Sequence, residues 1–373
     1  MTLKKNENKK IILLTGATGY LGIHILNELL ENSLHNIILI IREETKKDAI
    51  IKMNNKYNYY FSKNINNYIY TNRIQIYNGY LDLDFFYLSQ TCYNEIARSV
   101  DIIIHAAAYV KYFGHTHLFY AANVTATINI IKFAKHFKNK EIHYISTNSV
   151  CQNGYYINNN SNIYTEYDIP LKITNQNNYI KTKLEAEILC LAARKENVIT
   201  NIYRIGNLLI NSDNHLPQEN INDNASINIL KSTLKLKLIT ESQDEIEISP
   251  VNFTAKFLVN IIDINNLKNE LFHLFNEKKF YISELLKSLD INIRKCNDEN
   301  FLQFLNEKYE NEISKDEIGK FFLSFGCLEK NENSNQIKPL IFQDKTNIIL
   351  KKLNFFWPEV SALHLIKLLS FIS

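Results

Sequence analysis

The stretch Ile11–Leu30, IILLTGATGYLGIHILNELL, constrains this chain more than any other. A short apolar run, Ile11–Leu14, stops at Thr15-Gly16, and glycines follow at Gly16, Gly19 and Gly22. Beyond them Leu21, Ile25, Leu26, Leu29 and Leu30 recur at helical spacing. The pattern predicts a buried strand, a tight turn and a helix whose N-terminus is open to a phosphate. Gly16 allows the turn, Gly19 lets backbone approach a pyrophosphate, and Gly22 lets the helix pack closely. Glycines also mark strand-to-helix turns for steric reasons alone. Their place after a strand and at the mouth of a helix points to a dinucleotide site, held by Thr15, Gly16, Thr18, Gly19, Tyr20, Leu21 and Gly22.

The chain then alternates strand and helix. Asn36–Ile41 reads as a second buried strand ending at Arg42. A residue at that position meets the adenosine ribose: an acid suits the 2′-OH, an arginine a 2′-phosphate. Arg42 therefore favours NADPH over NADH, although Glu43 and Glu44 would repel a phosphate if they turned inward; the plain alternative is a solvated strand-end arginine. Further strands are expected at Arg73–Tyr77, Asp101–His105, Glu141–Ser146 and Thr200–Arg204, with helices at Asn123–Phe137 and Asn178–Arg194. Ala106–Ala108, after the fourth strand, let a flat cofactor lie against backbone or let a helix pack closely. This rhythm predicts an α/β fold with a Rossmann-type, doubly wound parallel sheet.

From Gly206 the rhythm loosens. Helices are expected at Ser226–Lys237, Asn252–Ile262, Ser283–Leu289, Asp298–Lys308 and Lys315–Ser324, with closing segments Thr346–Leu353 and Val360–Phe371. Short strands are expected at Glu245–Val251 and Glu270–Phe275. We expect a flexible segment over 1–10, the nucleotide-binding domain over 11–206, and a smaller, mostly helical substrate- and carrier-docking subdomain over 207–373, some of whose segments return to the first domain.

Composition excludes several classes. At 46% hydrophobic and 22% charged residues, a substantial core forms and global disorder is ruled out. A net charge of +3 on dispersed lysines gives no reason to expect nucleic acid. Five scattered cysteines without a CxxC pair offer no metal site or disulfide framework and suit a reducing compartment. No apolar run reaches membrane-spanning length and no signal-peptide core precedes the glycine turn. A soluble, cytoplasmic, monomeric protein is expected.

The chemistry resides in Tyr179-Ile180-Lys181-Thr182-Lys183, which puts Tyr179 and Lys183 at i and i+4 on one helix face. An ammonium beside a phenol is expected to lower the tyrosine pKa, so that Tyr179 exchanges a proton near neutrality, and the same lysine can bond ribose hydroxyls. Thr147, at the end of the fifth strand, can give a second hydrogen bond to a substrate oxygen. His105, ending a buried strand, reads as a packed histidine. Arg204 reads equally as a cofactor or substrate contact and as a structural ion pair.

In order along the chain, TGATGYLG, DIIIHAAA, YISTNSV and YIKTK resemble an extended short-chain dehydrogenase/reductase. More narrowly the chain resembles the thioester reductase domains that end non-ribosomal peptide synthetases and carboxylic acid reductases. LIIRE at Leu39–Glu43, HAAAYVKYFG at His105–Gly114, FYAANVTAT at Phe119–Thr127, YIKTKLEAE at Tyr179–Glu187, IYRIGN at Ile202–Asn207, SPVNF at Ser249–Phe253 and DKTNIILKKLNFFWP at Asp344–Pro358 carry it. The resemblance implies catalytic Thr147, Tyr179 and Lys183, a phosphate-selecting Arg42 with a second basic position at Lys52, NADPH as reductant, and a phosphopantetheinylated acyl or peptidyl carrier protein as partner. It implies reductive release of the chain as an aldehyde, or onward to an alcohol. The family's Gly-Asp-Leu is Gly79-Tyr80-Leu81 here, which puts adenine recognition in doubt, and its Asn-Val-x-Gly-Thr is Asn123–Thr127 with Ala126. Alternatives are a fatty acyl-CoA reductase, a sugar-nucleotide epimerase or dehydratase of the same superfamily, and a non-catalytic NADP-sensing module, which would generally have lost Tyr179 or Lys183.

Overall fold

Seven strands form one parallel sheet in the computed structural model, which describes residues 3, 8–111, 114–151, 154–156, 163–173, 177–311 and 340–371. They are β1 (Ile11–Thr15), β2 (Asn36–Ile41), β3 (Ile74–Asn78), β4 (Ile102–His105), β5 (Glu141–Thr147), β6 (Thr200–Ile205) and β7 (Leu271–Leu274). Their near-continuous Ile and Leu runs suit strands covered on both faces, and Ile12–Thr15 and Ile102–His105 are buried throughout. The order is β7-β6-β5-β4-β1-β2-β3, so the direction of growth reverses between β1 and β4. Thr15 lies beside His105 of β4 and Ile40 of β2 in register. Ligands of such sheets bind at that reversal, outside the C-terminal strand ends.

The flanking helices are α1 (Tyr20–Asn32), α2 (Lys46–Phe61), α3 (Gln90–Ser99), α4 (Ala126–Lys135), α5 (Asn178–Ala193) and α6 (Val251–Ile261). Side chains of α3, α4 and α5, among them Ile96, Ile130, Phe133, Ala186 and Cys190, share a core with Leu13, Ile103 and Ile142 of the sheet. The helix expected over Asn123–Phe137 is present, but it starts earlier, at Thr116, and ends at Lys135. Thr116–Phe119 is α-helical, Tyr120–Thr125 is a π-turn, and α4 follows. The strand expected over Glu245–Val251 ends at Glu247, because Val251 already opens α6. The helix expected at Lys315–Ser324, Cys327 and most of residues 1–10 lie outside the described residues. No helix among the described residues is long and apolar enough to cross a membrane.

Two compact units share the chain. The first comprises Met1–Ile205, Val251–Leu274 and Pro339–Phe356; the second comprises Gly206–Pro250, Phe275–Lys338 and Trp357–Ser373. Within the second, Leu209, Ile227, Leu230, Ile239, Ile248, Leu286 and Leu368 form an aliphatic core. Helices Ala225–Leu236, Ile282–Lys287 and Ala362–Ser370 supply much of it. Glu245–Glu247 pairs antiparallel with Lys279–Tyr281, and Leu238–Thr240 pairs parallel with Arg294–Cys296.

In this unit the Glu247 carboxylate accepts from the Asn207 amide at 2.6 Å and from the Ser249 hydroxyl, which itself accepts from the Asn276 amide at 2.9 Å. Burial pushes it up to about 7 against those hydrogen bonds. The folded state therefore keeps this proton to higher pH than the unfolded chain does. Its stabilising contribution is complete below the ordinary value of 4.5 and is lost as pH rises toward 7, by about 3 kcal/mol. In Glu247→Gln that loss disappears, and melting temperatures at mildly acidic and mildly alkaline pH should differ less than in the parent protein. An unchanged difference would remove Glu247 as its source.

Candidate active site

At the end of β1 the chain turns through Gly16 at φ +72°, a left-handed conformation that favours glycine. A Cβ there would lie 2.5 Å from the Ala107 nitrogen and 2.6 Å from the Ala106 carbonyl carbon. A Cβ on Gly22 would overlap the Gly16 carbonyl itself, so Gly22 serves the turn's close approach to α1. Gly19 is more open, its nearest neighbour being the Gly16 oxygen at 3.2 Å, and it precedes α1 without a side-chain cap. Thr15 Oγ1 bonds His105 Nδ1 at 2.8 Å and accepts from the Ala107 amide at 3.3 Å. His105 Nε2 meets Thr127 Oγ1 at 3.1 Å, and burial pushes its pKa down to about 3. It is a neutral, packed histidine. Tyr20 packs against His24 and Tyr60, while Leu21 is buried and Thr18 half-buried. Thus Thr15, Gly16, Gly22, Ala106 and Ala107 converge on one backbone cradle beside the open end of α1, which fits a dinucleotide pyrophosphate.

On the adenosine side Arg42 is 62% exposed, its Nη2 lying 3.9 Å from Asp82 Oδ1. Lys52 of α2 reaches back to Glu43 at 2.6 Å and to the Arg42 carbonyl at 3.3 Å. Glu43 is thereby neutralised, and the repulsion it threatened is removed. Lys52 is engaged with it, which leaves Arg42 as the more available cation. Tyr80 meets Tyr87 edge-on at 5.6 Å. Its amide donates to the Phe86 carbonyl across a turn in which Phe85, Phe86 and Tyr87 are all left-handed. The acid missing from position 80 appears two residues later, as Asp82.

The three expected catalytic residues sit on two adjacent elements. Thr147 ends β5, and Tyr179 and Lys183 lie one turn apart in α5, whose first turn is capped by Asn177. Thr147 Oγ1 donates to Ser149 Oγ at 3.3 Å and accepts from the Ser149 amide at 3.2 Å, and it lies near enough to the Tyr179 phenol to favour its ionised form. The expected lowering of the Tyr179 pKa is not seen. Lys183 Nζ donates to the Ile145 carbonyl at 2.5 Å and lies 4.2 Å from the Tyr144 ring centroid, so its charge is spent on β5. Burial pushes the phenol up to about 12, with Thr147 opposing, and pushes Lys183 down to about 7, with Cys190 and Glu187 opposing. Tyr179 is therefore a proton donor throughout the neutral range, the state required to meet a carbonyl oxygen as it gains charge.

Several neighbours lie within the motifs above, although only Arg204 among them carries a functional reading from sequence alone. Asn123, in the π-turn, accepts from the Tyr109 amide at 2.7 Å and donates to Thr182 Oγ1 at 2.9 Å, tying the segment after β4 to α5. π-turns of this kind often mark functional positions, but no spacing in the sequence signals one. Arg204 resolves as an ion pair, fully buried with Glu187. Glu187, one turn beyond Lys183, and Ser146, adjacent to Thr147, were both within reach of the helical and strand periods that located the triad.

Residues 14–258 match the family described as male sterility protein, an NAD-binding family. The chain is 27% identical over 276 residues to glycine betaine reductase of Emericella nidulans, covering 71% of this chain and 21% of that protein. It is 23% identical over 371 residues to a linear gramicidin synthase from Brevibacillus parabrevis, covering 97% of this chain and 7% of that protein. It therefore spans about a fifth or less of the length of these relatives. A thiolation-reductase di-domain from an archaeal non-ribosomal peptide synthetase shares its fold at a TM-score of 0.82 and 25% identity, over 99% of this chain and 76% of that one. With the family match extending over more than half its length and the glycine cradle and Tyr-Lys helix in place, the chain belongs to the NAD-binding male sterility protein family of extended short-chain dehydrogenases/reductases.

Proposed function

We propose that this chain is an NADPH-dependent thioester reductase that releases an acyl or peptidyl chain from a phosphopantetheinylated carrier protein as an aldehyde. The observation that carries the reading is the placement of Tyr179 and Lys183 one turn apart on α5, with Thr147 at the end of β5. The likeness over nearly the whole chain to an archaeal thiolation-reductase di-domain supports a thioester as the group reduced.

Thr15–Gly22 and Ala106–Ala108 would hold the pyrophosphate and nicotinamide portions of the cofactor, with Arg42 on its 2′-phosphate. The cofactor, when bound, supplies the hydride. Thr147 and Tyr179 present hydroxyl donors to the thioester carbonyl oxygen, and Tyr179 delivers the proton as charge develops there. Lys183 can bond ribose hydroxyls, and its ammonium would stabilise the phenolate left once Tyr179 has given up its proton. Departure of the pantetheine thiol from the resulting hemithioacetal leaves the aldehyde. We further read the chain as a cytoplasmic monomer.

The decisive experiment incubates the chain with NADPH and a panel of acyl-pantetheine, carrier-bound and CoA thioesters, following NADPH consumption and identifying the product. Aldehyde from carrier or pantetheine thioesters is expected. Turnover of CoA thioesters alone would make it an acyl-CoA reductase, and no net NADPH consumption would end the reading. Arg42→Ala should raise the KM for NADPH about tenfold and leave that for NADH unchanged, since one charge-assisted bond is removed. An equal effect on both would withdraw the preference for NADPH.

A further inference from the structure

Beneath the triad lies a closed polar network that the reaction as described does not use. Glu187 and Arg204 are both fully buried. Arg204 Nε donates to Glu187 Oε1 at 3.1 Å, and Nη2 donates to the same carboxylate and to the Asp168 carbonyl at 3.3 Å. Nη1 faces His273 Nε2 at 3.1 Å and Cys151 Sγ at 3.7 Å. His273 Nδ1 lies 2.7 Å from the Phe342 carbonyl, which fixes its proton on Nδ1 and leaves Nε2 to accept from the arginine. The other carboxylate oxygen, Glu187 Oε2, accepts from Ser146 Oγ at 2.8 Å. Ser146 is the residue before Thr147, and Glu187 stands one helical turn after Lys183.

We propose that Glu187 is a positioning residue for the reaction, anchored by Arg204, that fixes Thr147 through Ser146 and sustains the charge of Lys183 from the next turn of α5. The assignment rests on the thioester reductase reading. Lys183 is faced by Tyr179, Glu187 and Cys190 on its own helix, by the Ile145 carbonyl and Tyr144 ring of β5, and by His105 of β4. Burial keeps the Tyr179 phenol, the Tyr144 phenol, the Cys190 thiol and the His105 ring neutral near pH 7. Among these groups Glu187 is the one carboxylate, ion-paired to Arg204, and it opposes the desolvation that drives Lys183 down. Glu187 is itself faced by Arg204 of β6 and Ser146 of β5.

The test compares Glu187→Gln and Ser146→Ala with the parent protein. The readouts are kcat and KM for an acyl-pantetheine thioester across roughly pH 6 to 9, and the NMR titration of the Lys183 ammonium, assigned with Lys183→Met. Glu187→Gln should lower kcat about tenfold with KM unchanged, and move both the alkaline limb and the Lys183 titration down by about one pH unit. Ser146→Ala should lower kcat severalfold and leave the titration in place. Where Glu187→Gln does not fold because Arg204 is left unpaired, Glu187→Gln/Arg204→Met, which removes both charges, should lower kcat likewise and move the Lys183 titration down by less, a cation being lost with the anion. A folded variant with the parent's kcat and Lys183 titration, or one altered only in melting temperature, would overturn the assignment. The titration needs no substrate, so it tests Glu187 even if no thioester is reduced, a result that would instead remove the functional reading.

Discussion

Tyr179→Phe should retain NADPH affinity and lose turnover by about 10²–10⁴-fold, the usual contribution of a positioned proton donor. The substitution removes one oxygen and leaves the ring in place, so the cradle at Gly16–Gly22 and the Asn177 cap on α5 are untouched. Thr147 keeps its own hydroxyl, and residual activity measures what that donor achieves alone. Single-turnover oxidation of NADPH with an acyl-pantetheine thioester separates this chemical step from binding and product release. The pH profile adds a second check. With the phenol pushed up to about 12 and Lys183 down to about 7, the parent's alkaline decline near neutrality belongs to Lys183. In Tyr179→Phe the remaining rate should still fall over the same range. Turnover equal to the parent's would show that the proton comes from elsewhere.

Gly16→Ala should abolish cofactor binding and destabilise the first unit by about 2–5 kcal/mol. The left-handed φ of +72° is unfavourable for alanine by about 1–2 kcal/mol. The larger effect is steric: the new methyl would sit 2.5 Å from the Ala107 nitrogen, against backbone with no rotamer to yield. Relief requires β1 and the chain after β4 to separate, which breaks the Thr15 bonds to His105 and Ala107. Gly19→Ala provides the contrast. Its methyl would meet only the Gly16 oxygen, at 3.2 Å, so the fold should survive while affinity for NADPH falls. Thermal melting and cofactor titration of the two variants distinguish a turn needed for folding from one needed only for binding. A Gly16→Ala chain that folds and binds as the parent does would disprove the close approach.

The elements legible in the sequence are those whose signal is local and repeated. Asn36–Ile41 is bounded as expected because six apolar or amide residues run directly into Arg42. The strands of the sheet appear in their expected places; β1, β2 and β4 are short apolar runs that are almost wholly buried, and β3 keeps its apolar residues at alternate positions. Signals that depend on distant partners were not legible. In the π-helical stretch Tyr120–Thr125, Asn123 is held by Tyr109 and Thr182, residues 14 and 59 positions away. The paired strands Leu238–Thr240 and Arg294–Cys296 are three residues each and polar on one side, too short for any period to register. At the site, residue types and spacing located Thr147, Tyr179 and Lys183, whereas the direction of the Lys183 ammonium depends on a carbonyl of β5. Spacing places two groups on one face; it does not decide which acceptor the longer side chain reaches.

Each unit is divided among three stretches of chain, with boundaries that include Ile205–Gly206, Pro250–Val251, Leu274–Phe275 and Phe356–Trp357. Neither unit is thus a contiguous gene segment. A single recombination event between two such chains would leave at least one hydrophobic core drawn from both parents, and a transplanted unit would need every junction rejoined in register. Exchange of either unit as a single cassette is therefore closed to this architecture, and a change confined to one unit comes by substitution within it, one side chain at a time.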